Sequence, residues 1–261
     1  MAAKSKNDGG IVELIKTIVY ALVLAGFIRT LLFQPFWIPS GSMKDTLLVG
    51  DFLFVNKFAY GYSRHSCPWS MCPFSGRIWA GEPERGDVIV FNQGGVVFIK
   101  RLIGLPGDTV QMREGVLFIN DQEAKQTPLP PFVEPMAAQG PMARIPSCAN
   151  APVSLDGGGE CIKERASETL PEGPTHNILN IGNRSTDNTL VYKVPEGHYF
   201  FMGDNRDNSS DSRISRQGGG VGFVPFENLI GRADRIMFSS AGSSILAVWT
   251  WRSDRYLKAI N

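Results

Sequence analysis

Residues Ile11 to Phe33, reading IVELIKTIVYALVLAGFIRTLLF, constrain this chain more than any other stretch. The uncharged centre, Thr17 to Ile28, is shorter than the ~20 residues a bilayer span needs. The flanking turns restore that length if Lys16 and Arg29 extend toward the headgroups. Tyr20, Phe33, Phe36 and Trp37 suit an interfacial aromatic belt. A cleavable signal peptide competes, with Lys4, Lys6 and Lys16 as its charged region and Val23-Leu24-Ala25 as its cleavage site. A buried helix of a soluble core is a third reading. The apolar character continues through Leu31, Leu32 and Phe33, past that site, which favours a retained anchor over 11–33. Lysines ahead of the span place residues 1–10 in the cytoplasm and the bulk of the chain outside; Arg29 and Lys44 pull weakly the other way.

Beyond residue 36 the pattern becomes a series of short β-like runs: 51–55, 87–91, 96–100, 109–112, 116–119, 191–194 and 198–202. Asn92-Gln93-Gly94-Gly95 and Arg113-Glu114-Gly115 read as hairpin connections. Strands do not alternate with long helices, which argues against a doubly wound parallel sheet, and a mainly antiparallel β protein is expected. Residues 122–188 differ in composition. They carry Pro128, Pro130, Pro131, Pro135, Pro141 and Pro146, then Gly157-Gly158-Gly159. They read as an inserted, loop-rich β subdomain, with the main β domain formed by 34–121 and 189–261. The tail from Ser243 to Asn261 reads as a helix or strand end near the membrane, or as plain core.

The 26 Lys and Arg against 25 Asp and Glu leave a formal charge of +1. A nucleic-acid partner needs a basic face and gains no support here. Cys67, Cys72, Cys148 and Cys161 permit three disulfide pairings, of which the local one, Cys67–Cys72 with Cys148–Cys161, is favoured. Their C-x4-C and C-x12-C spacings fit zinc poorly, and no metal site is expected.

A chemical motif lies in Pro39-Ser40-Gly41-Ser42-Met43, directly after the apolar segment. A serine hydroxyl is a weak nucleophile until a neighbouring base takes its proton. Histidine is the usual base, but His65, His176 and His198 all read as surface or turn residues. A G-x-S-x-G elbow is absent around Ser42. Lysine serves if it is neutral, and its ordinary pKa leaves roughly one molecule in two thousand neutral at pH 7. Lowering that pKa by ~2–3 units costs roughly 3–4 kcal/mol of destabilised charge, which burial among apolar side chains supplies. Lys100 has that setting, with Val96, Val97, Phe98 and Ile99 before it and Leu102 and Ile103 after. Alternation along a strand turns Lys100 and Arg101 to different sides. Lys100 is expected to point inward, and Arg101 to pair outward or with the Asp-rich block at 203–213.

Three blocks, Pro39-Ser40-Gly41-Ser42-Met43, Phe98 to Asp108, and Gly203 to Arg213, together resemble the bacterial type I signal peptidase (leader peptidase) family. The likeness covers most of the chain beyond residue 34 and leaves the insertion unmatched. It implies a membrane-anchored serine endopeptidase that cuts signal peptides from exported preproteins, with its catalytic domain on the outer face of the cytoplasmic membrane. Ser42 then matches the nucleophile and Lys100 the general base. Ser40, with the backbone N–H of Ser42, matches the oxyanion hole, and Ser209 the serine that positions the lysine. Arg101, Asp204, Arg206, Asp211 and Arg213 brace the site. Phe36, Ile38, Met43, Leu47, Val90, Phe98 and Ile99 match the lining of two shallow pockets for the small residues of an A-x-A site. Individually, these apolar residues read equally well as generic core. No cofactor is implied. The partners are signal-peptide-bearing preproteins, membrane lipid and, transiently, the export machinery. Asp45 departs from the family, which usually has Pro there, and adds a carboxylate near the site.

Other readings are a specialised peptidase for one secretion, pilus or conjugation substrate, and a catalytically silent, membrane-anchored binding domain. The joint presence of Ser42, Lys100 and Ser209 argues against silence. A penicillin-binding arrangement would need lysine three residues after the serine, where Asp45 stands.

Overall fold

The structure, a computed structural model, describes residues 8–31, 33–66, 73, 75–150, 159–242 and 244–260. It opens with a 24-residue helix, α1 (Asp8–Leu31). At ~1.5 Å per residue this is about 36 Å, enough to cross a hydrocarbon core of ~30 Å. Its apolar side chains are exposed, from Ile11 at 64% to Phe27 at 56%. Among the described residues it is the one helix long and apolar enough for a membrane span. Glu13 is paired with Lys16 at 3.0 Å on its surface.

Fourteen strands follow among the described residues: β1 (Phe33–Trp37), β2 (Asp51–Asn56), β3 (Val88–Gln93), β4 (Val96–Gly104), β5 (Thr109–Arg113), β6 (Val116–Ile119), β7 (Gln122–Glu123), β8 (Lys125–Pro135), β9 (Glu160–Thr169), β10 (Thr175–Asn180), β11 (Tyr192–Lys193), β12 (His198–Met202), β13 (Val224–Pro225) and β14 (Leu229–Ser239). Phe33, Phe36 and Trp37 thus belong to a strand and do not extend the helix. Pro35 disfavours helix at Gln34 and suits the edge position that β1 occupies.

The main sheet has the order β1-β2-β14-β3-β4-β12-β13. It is covered on both faces. Val88 and Val90 of β3 enter one cluster with Leu53, Val55 and Ile236. Ile89 and Phe91 enter another with Leu102, Phe201 and Leu229. A four-stranded sheet, β11-β5-β6-β7, packs a third cluster around Val110, Leu117, Ile119 and Phe200. Its β5–β6 turn places Gly115 at φ +79°, a conformation that favours glycine.

The insertion is more regular than its composition predicts. β8, β9 and β10 form an antiparallel sheet of order β10-β9-β8. The prolines of β8 are accommodated because it is an edge strand whose register shifts between Leu129 and Phe132. Cys148 and Cys161 are disulfide-bonded. Cys67 and Cys72 lie outside the described residues. In the tail, Leu246 and Trp249 are each 83% exposed beside a 3-10 turn at Val248–Thr250, whereas Arg255 in the turn Ser253–Arg255 is buried and Ile260 packs against the first core cluster.

Candidate active site

Ser40, Gly41 and Ser42 sit on the loop from β1 to β2. Backbone bonds clasp the loop at its base, Ile38 N–H to Asp51 C=O at 2.9 Å and Gly50 N–H to Ile38 C=O at 3.0 Å. Met43 and Leu47 anchor its interior, both fully buried. Lys100 comes from β4, an interior strand of the main sheet. Its Nζ lies 2.5 Å from Ser42 Oγ. Both residues are buried, Ser42 at 8% exposure and Lys100 at 4%. Burial lowers the Lys100 pKa from 10.5 to about 8, against the pull of the Asp211 and Asp204 carboxylates and with help from Arg213. That is about 3 kcal/mol of destabilised charge.

A cavity of about 600 Å³ opens at the pair, lined by Ser40, Ser42, Phe98, Lys100, Arg206 and Ser209 among others. The Ser42 N–H makes no hydrogen bond among the described residues. A second cavity of about 130 Å³ adjoins Ser40, Gly41 and Ser42 from another side.

The 203–213 block holds the loop by its backbone. Asn205 N–H donates to Ser42 C=O at 3.1 Å, and Asn205 Nδ2 donates to Gly41 C=O at 2.9 Å. Arg101 is fully buried and grips Asp204 through two bonds of 2.9 and 2.8 Å. Thr46 Oγ1 donates to the same carboxylate at 2.5 Å. Arg213 grips Asp211 through two bonds of 2.9 Å, and Asp211 accepts the Gly203 N–H at 3.0 Å. Arg206 forms a fork with Glu168 of β9, which ties the block to the inserted sheet. Such bidentate pairs are the strong, geometry-fixing kind. The fork with Asp204 selects one of the two expected partners for Arg101. Arg101 and Lys100 are both inside because the sheet is covered on both faces.

Ser209 lines the large cavity without a hydrogen bond to Lys100. Its Oγ is buried and unpaired by hydrogen-bond geometry, though near enough to Asp211 to help hold that carboxyl low. Gly203 makes room for it: a Cβ there would lie 2.3 Å from Ser209 Oγ and 2.6 Å from Ser42 C=O. Of the seven apolar residues assigned to the substrate pockets, Phe98 lines the cavity. Ile38, Met43, Leu47 and Val90 are buried in the first core cluster, against which half-buried Phe36 and Ile99 pack. Their apolar type is accounted for by that packing.

His176 is not the surface or turn residue its sequence context implies. It is buried, with Nε2 3.6 Å from Glu168 and 3.8 Å from Asp204. Burial, with Arg101 adding to it, pushes its pKa down to about 4. Asp45 turns to the inserted sheet, accepting from Arg165 at 3.2 Å and from Asn177 at 3.0 Å. Glu168 and His176 join the site from β9 and β10, whose sequence carries no signal beyond ordinary strand composition.

A buried serine–lysine contact opening on a cavity is an arrangement compatible with serine hydrolase chemistry. The family model for signal peptidase, peptidase S26, matches residues 11–238. Signal peptidase I of Rickettsia typhi is 39% identical over 249 residues, covering 90% of this chain and 83% of the relative. That of Rickettsia akari is 41% identical over 234 residues, covering 85% and 77%. A crystal structure of a signal peptidase I from Enterococcus faecalis is 28% identical, covers 58% of this chain and 96% of that one, and has a TM-score of 0.29. The chain belongs to the signal peptidase family S26 and is a serine peptidase.

Proposed function

We propose that the chain is a membrane-anchored endopeptidase that removes signal peptides after small residues, using Ser42 as nucleophile and Lys100 as general base. The observation that carries the reading is the 2.5 Å contact between Lys100 Nζ and Ser42 Oγ inside a buried site. Ser42 Oγ attacks the scissile carbonyl carbon while its proton passes to the lone pair of neutral Lys100. The carbonyl oxygen becomes an oxyanion facing Ser40 Oγ and the Ser42 N–H. Collapse breaks the C–N bond, and the leaving amine takes the proton from Lys100. The signal peptide is then an ester on Ser42. Water gives its proton to Lys100 and attacks the ester; the acyl C–O bond to Ser42 breaks, Lys100 returns the proton to Ser42 Oγ, and the acid is released. Ser209 positions the lysine once substrate fills the cavity. Arg101, Asp204, Arg206, Asp211 and Arg213 hold the loop and the block in register.

The A-x-A preference rests on an extended peptide presenting alternate side chains to one face of the cavity. In this reading Phe98 forms the exposed part of that face. Phe36, Ile38, Met43, Leu47, Val90 and Ile99 set its depth from beneath. The anchor is α1, with residues 34–121 and 189–261 as the catalytic domain and 122–188 as the inserted one. Confinement to the membrane that also holds the preprotein raises the effective concentration. The cytoplasmic N-terminus leaves the catalytic domain on the outer face of the cytoplasmic membrane, meeting the export machinery only in passing.

The test is cleavage of a preprotein with an Ala-x-Ala site by the purified full chain in detergent. Wild type should cut at that site and Ser42→Ala should not. Equal cutting by both would remove Ser42 as the nucleophile.

A further inference from the structure

The second cavity beside Ser42 has no part in the chemistry above. At about 130 Å³ it has room for about four waters of ~30 Å³ each. Three cationic side chains wall it, Lys44, Arg144 and Lys163, with no carboxylate among its lining. Glu134 contacts both lysines, Lys44 at 2.5 Å and Lys163 through its other oxygen. Gln139 is committed to the same cluster, accepting from Lys44 at 2.8 Å and donating to Glu134 at 2.7 Å. One carboxylate for two ammonium groups leaves one positive charge uncompensated. Arg144 adds another, since it is exposed and has no ion-pair partner among the described residues. Backbone bonds with Gln139 at 3.0 and 3.2 Å close the turn that carries it. Ser40, Ser42, Arg144 and Asn208 line both cavities, so the cationic pocket lies directly beside the reaction space.

We propose that this pocket binds a carboxylate of the peptide substrate close to the scissile bond, and that Arg144 makes the enzyme favour acidic over neutral side chains there. The inference rests on Ser42 being the nucleophile. A guanidinium matches a carboxylate with two parallel bonds, and a half-enclosed site shields that contact from solvent better than an open surface does. The pocket's size suits an Asp or Glu side chain. Hydrolysis makes a second source of the same chemistry, the new C-terminal carboxylate of the released signal peptide.

The experiment uses the full chain in detergent and matched peptides spanning an Ala-x-Ala site. One residue at a time, within three positions of the scissile bond, is Asp in one peptide and Asn in its twin. At one position the Asp peptide should have a kcat/KM roughly three- to tenfold above its twin, carried by KM. Arg144→Gln should bring that ratio to about one, and Arg144→Lys should restore part of it. Higher salt should shrink it. Arg113→Gln, at an exposed pair with Asp121 outside both cavities, should leave the ratio unchanged. Product peptides ending in an acid or an amide separate the two sources. Stronger, Arg144-dependent inhibition by the acid, with no favoured Asp position, keeps the carboxylate site and makes the product its ligand. Equal ratios in wild type and Arg144→Gln at every position, with equal inhibition by acid and amide, would overturn the proposal. Cutting of the Asn peptides by Ser42→Ala would instead sink the reading beneath it.

Discussion

Two buried lysines approach the Ser42 loop, and the contrast between their surroundings bears on which of them suits the proposed role of base. Lys44 is two residues from Ser42, and Lys100 is 58 residues away in sequence. Burial lowers the pKa of both. Lys44 touches Glu134, a carboxylate whose ion-pair partners are two lysines. Lys100 touches a hydroxyl instead. The carboxylates that act on it, Asp211 and Asp204, are each already held in an arginine fork, by Arg213 and Arg101. A carboxylate in such a fork has little field left for a third cation. Burial thus lowers the Lys44 pKa against a carboxylate in direct contact, and that of Lys100 with no carboxylate touching it, which is the setting the proposed base requires.

The largest effect should follow removal of the base. Lys100→Ala should lower kcat by about 10³-fold or more, measured in single-turnover cleavage, with folding checked by circular dichroism. Lys100→Arg should be as inactive, because a guanidinium does not give up its proton. Retention of more than about a tenth of the activity would hand the base role to another group and break the contrast with Lys44. Next in size is Glu134→Gln, which leaves Lys44 and Lys163 facing each other uncompensated. We expect a loss of about 3–5 kcal/mol in urea unfolding. A loss under ~1 kcal/mol would mean that Glu134 does not hold Lys44 as a cation.

The distinction between these lysines was only half legible in the sequence. The apolar run around Lys100 and its place on a strand were plain, as were the β5–β6 turn and the long apolar helix. The 203–213 block stood out as turn composition rich in charge. The Lys44 partner was not legible, because Glu134 lies 90 residues away, on a strand whose prolines disguised it as loop. His176 was misread for the same reason. Its burial depends on β9 and β10 packing against the 203–213 block, and local composition carries no trace of that. The apolar candidates for the substrate pockets show the opposite limit. Their character is what both a pocket and a core require, and packing alone separates Phe98 from Val90.

The pH dependence sharpens the contrast further. In the proposed mechanism neutral Lys100 is the active form, so kcat/KM should rise with pH and level off above about 8. Well below that it should fall about tenfold per pH unit, so that pH 6 lies about a hundredfold under the plateau. The acid limb should keep its position in Glu134→Gln, since the cluster around Lys44 does not set it. A limb that moves by a full pH unit in that variant would show that the two lysines titrate together. Stability carries the same sign. The unfolded chain holds the Lys100 proton up to about pH 10.5, so the folded state gains stability as pH rises from about 8 toward that value.

His176 offers the smallest and most selective test of the rule that a paired carboxylate no longer serves as a counter-ion. It lies 3.6 Å from Glu168 and 3.8 Å from Asp204, yet its pKa is pushed down to about 4. Both carboxylates are committed, to Arg206 and Arg101, and those two guanidinium groups oppose a further positive charge. The unfolded chain takes up the histidine proton near pH 6.5 and the folded one only near 4. Stability from this residue is therefore present above 6.5 and lost as pH falls through that window. At pH 5 the loss amounts to about 2 kcal/mol. His176→Phe cannot take up a proton, and its ring nitrogens had no hydrogen-bond partners to forfeit. The variant should lose less stability than wild type between pH 7 and pH 5, by about 2 kcal/mol in paired urea melts. Parallel curves for the two proteins would mean that Glu168 or Asp204 does stabilise a protonated His176. The arginine forks would then not be the reason that Lys100 is left without a counter-ion.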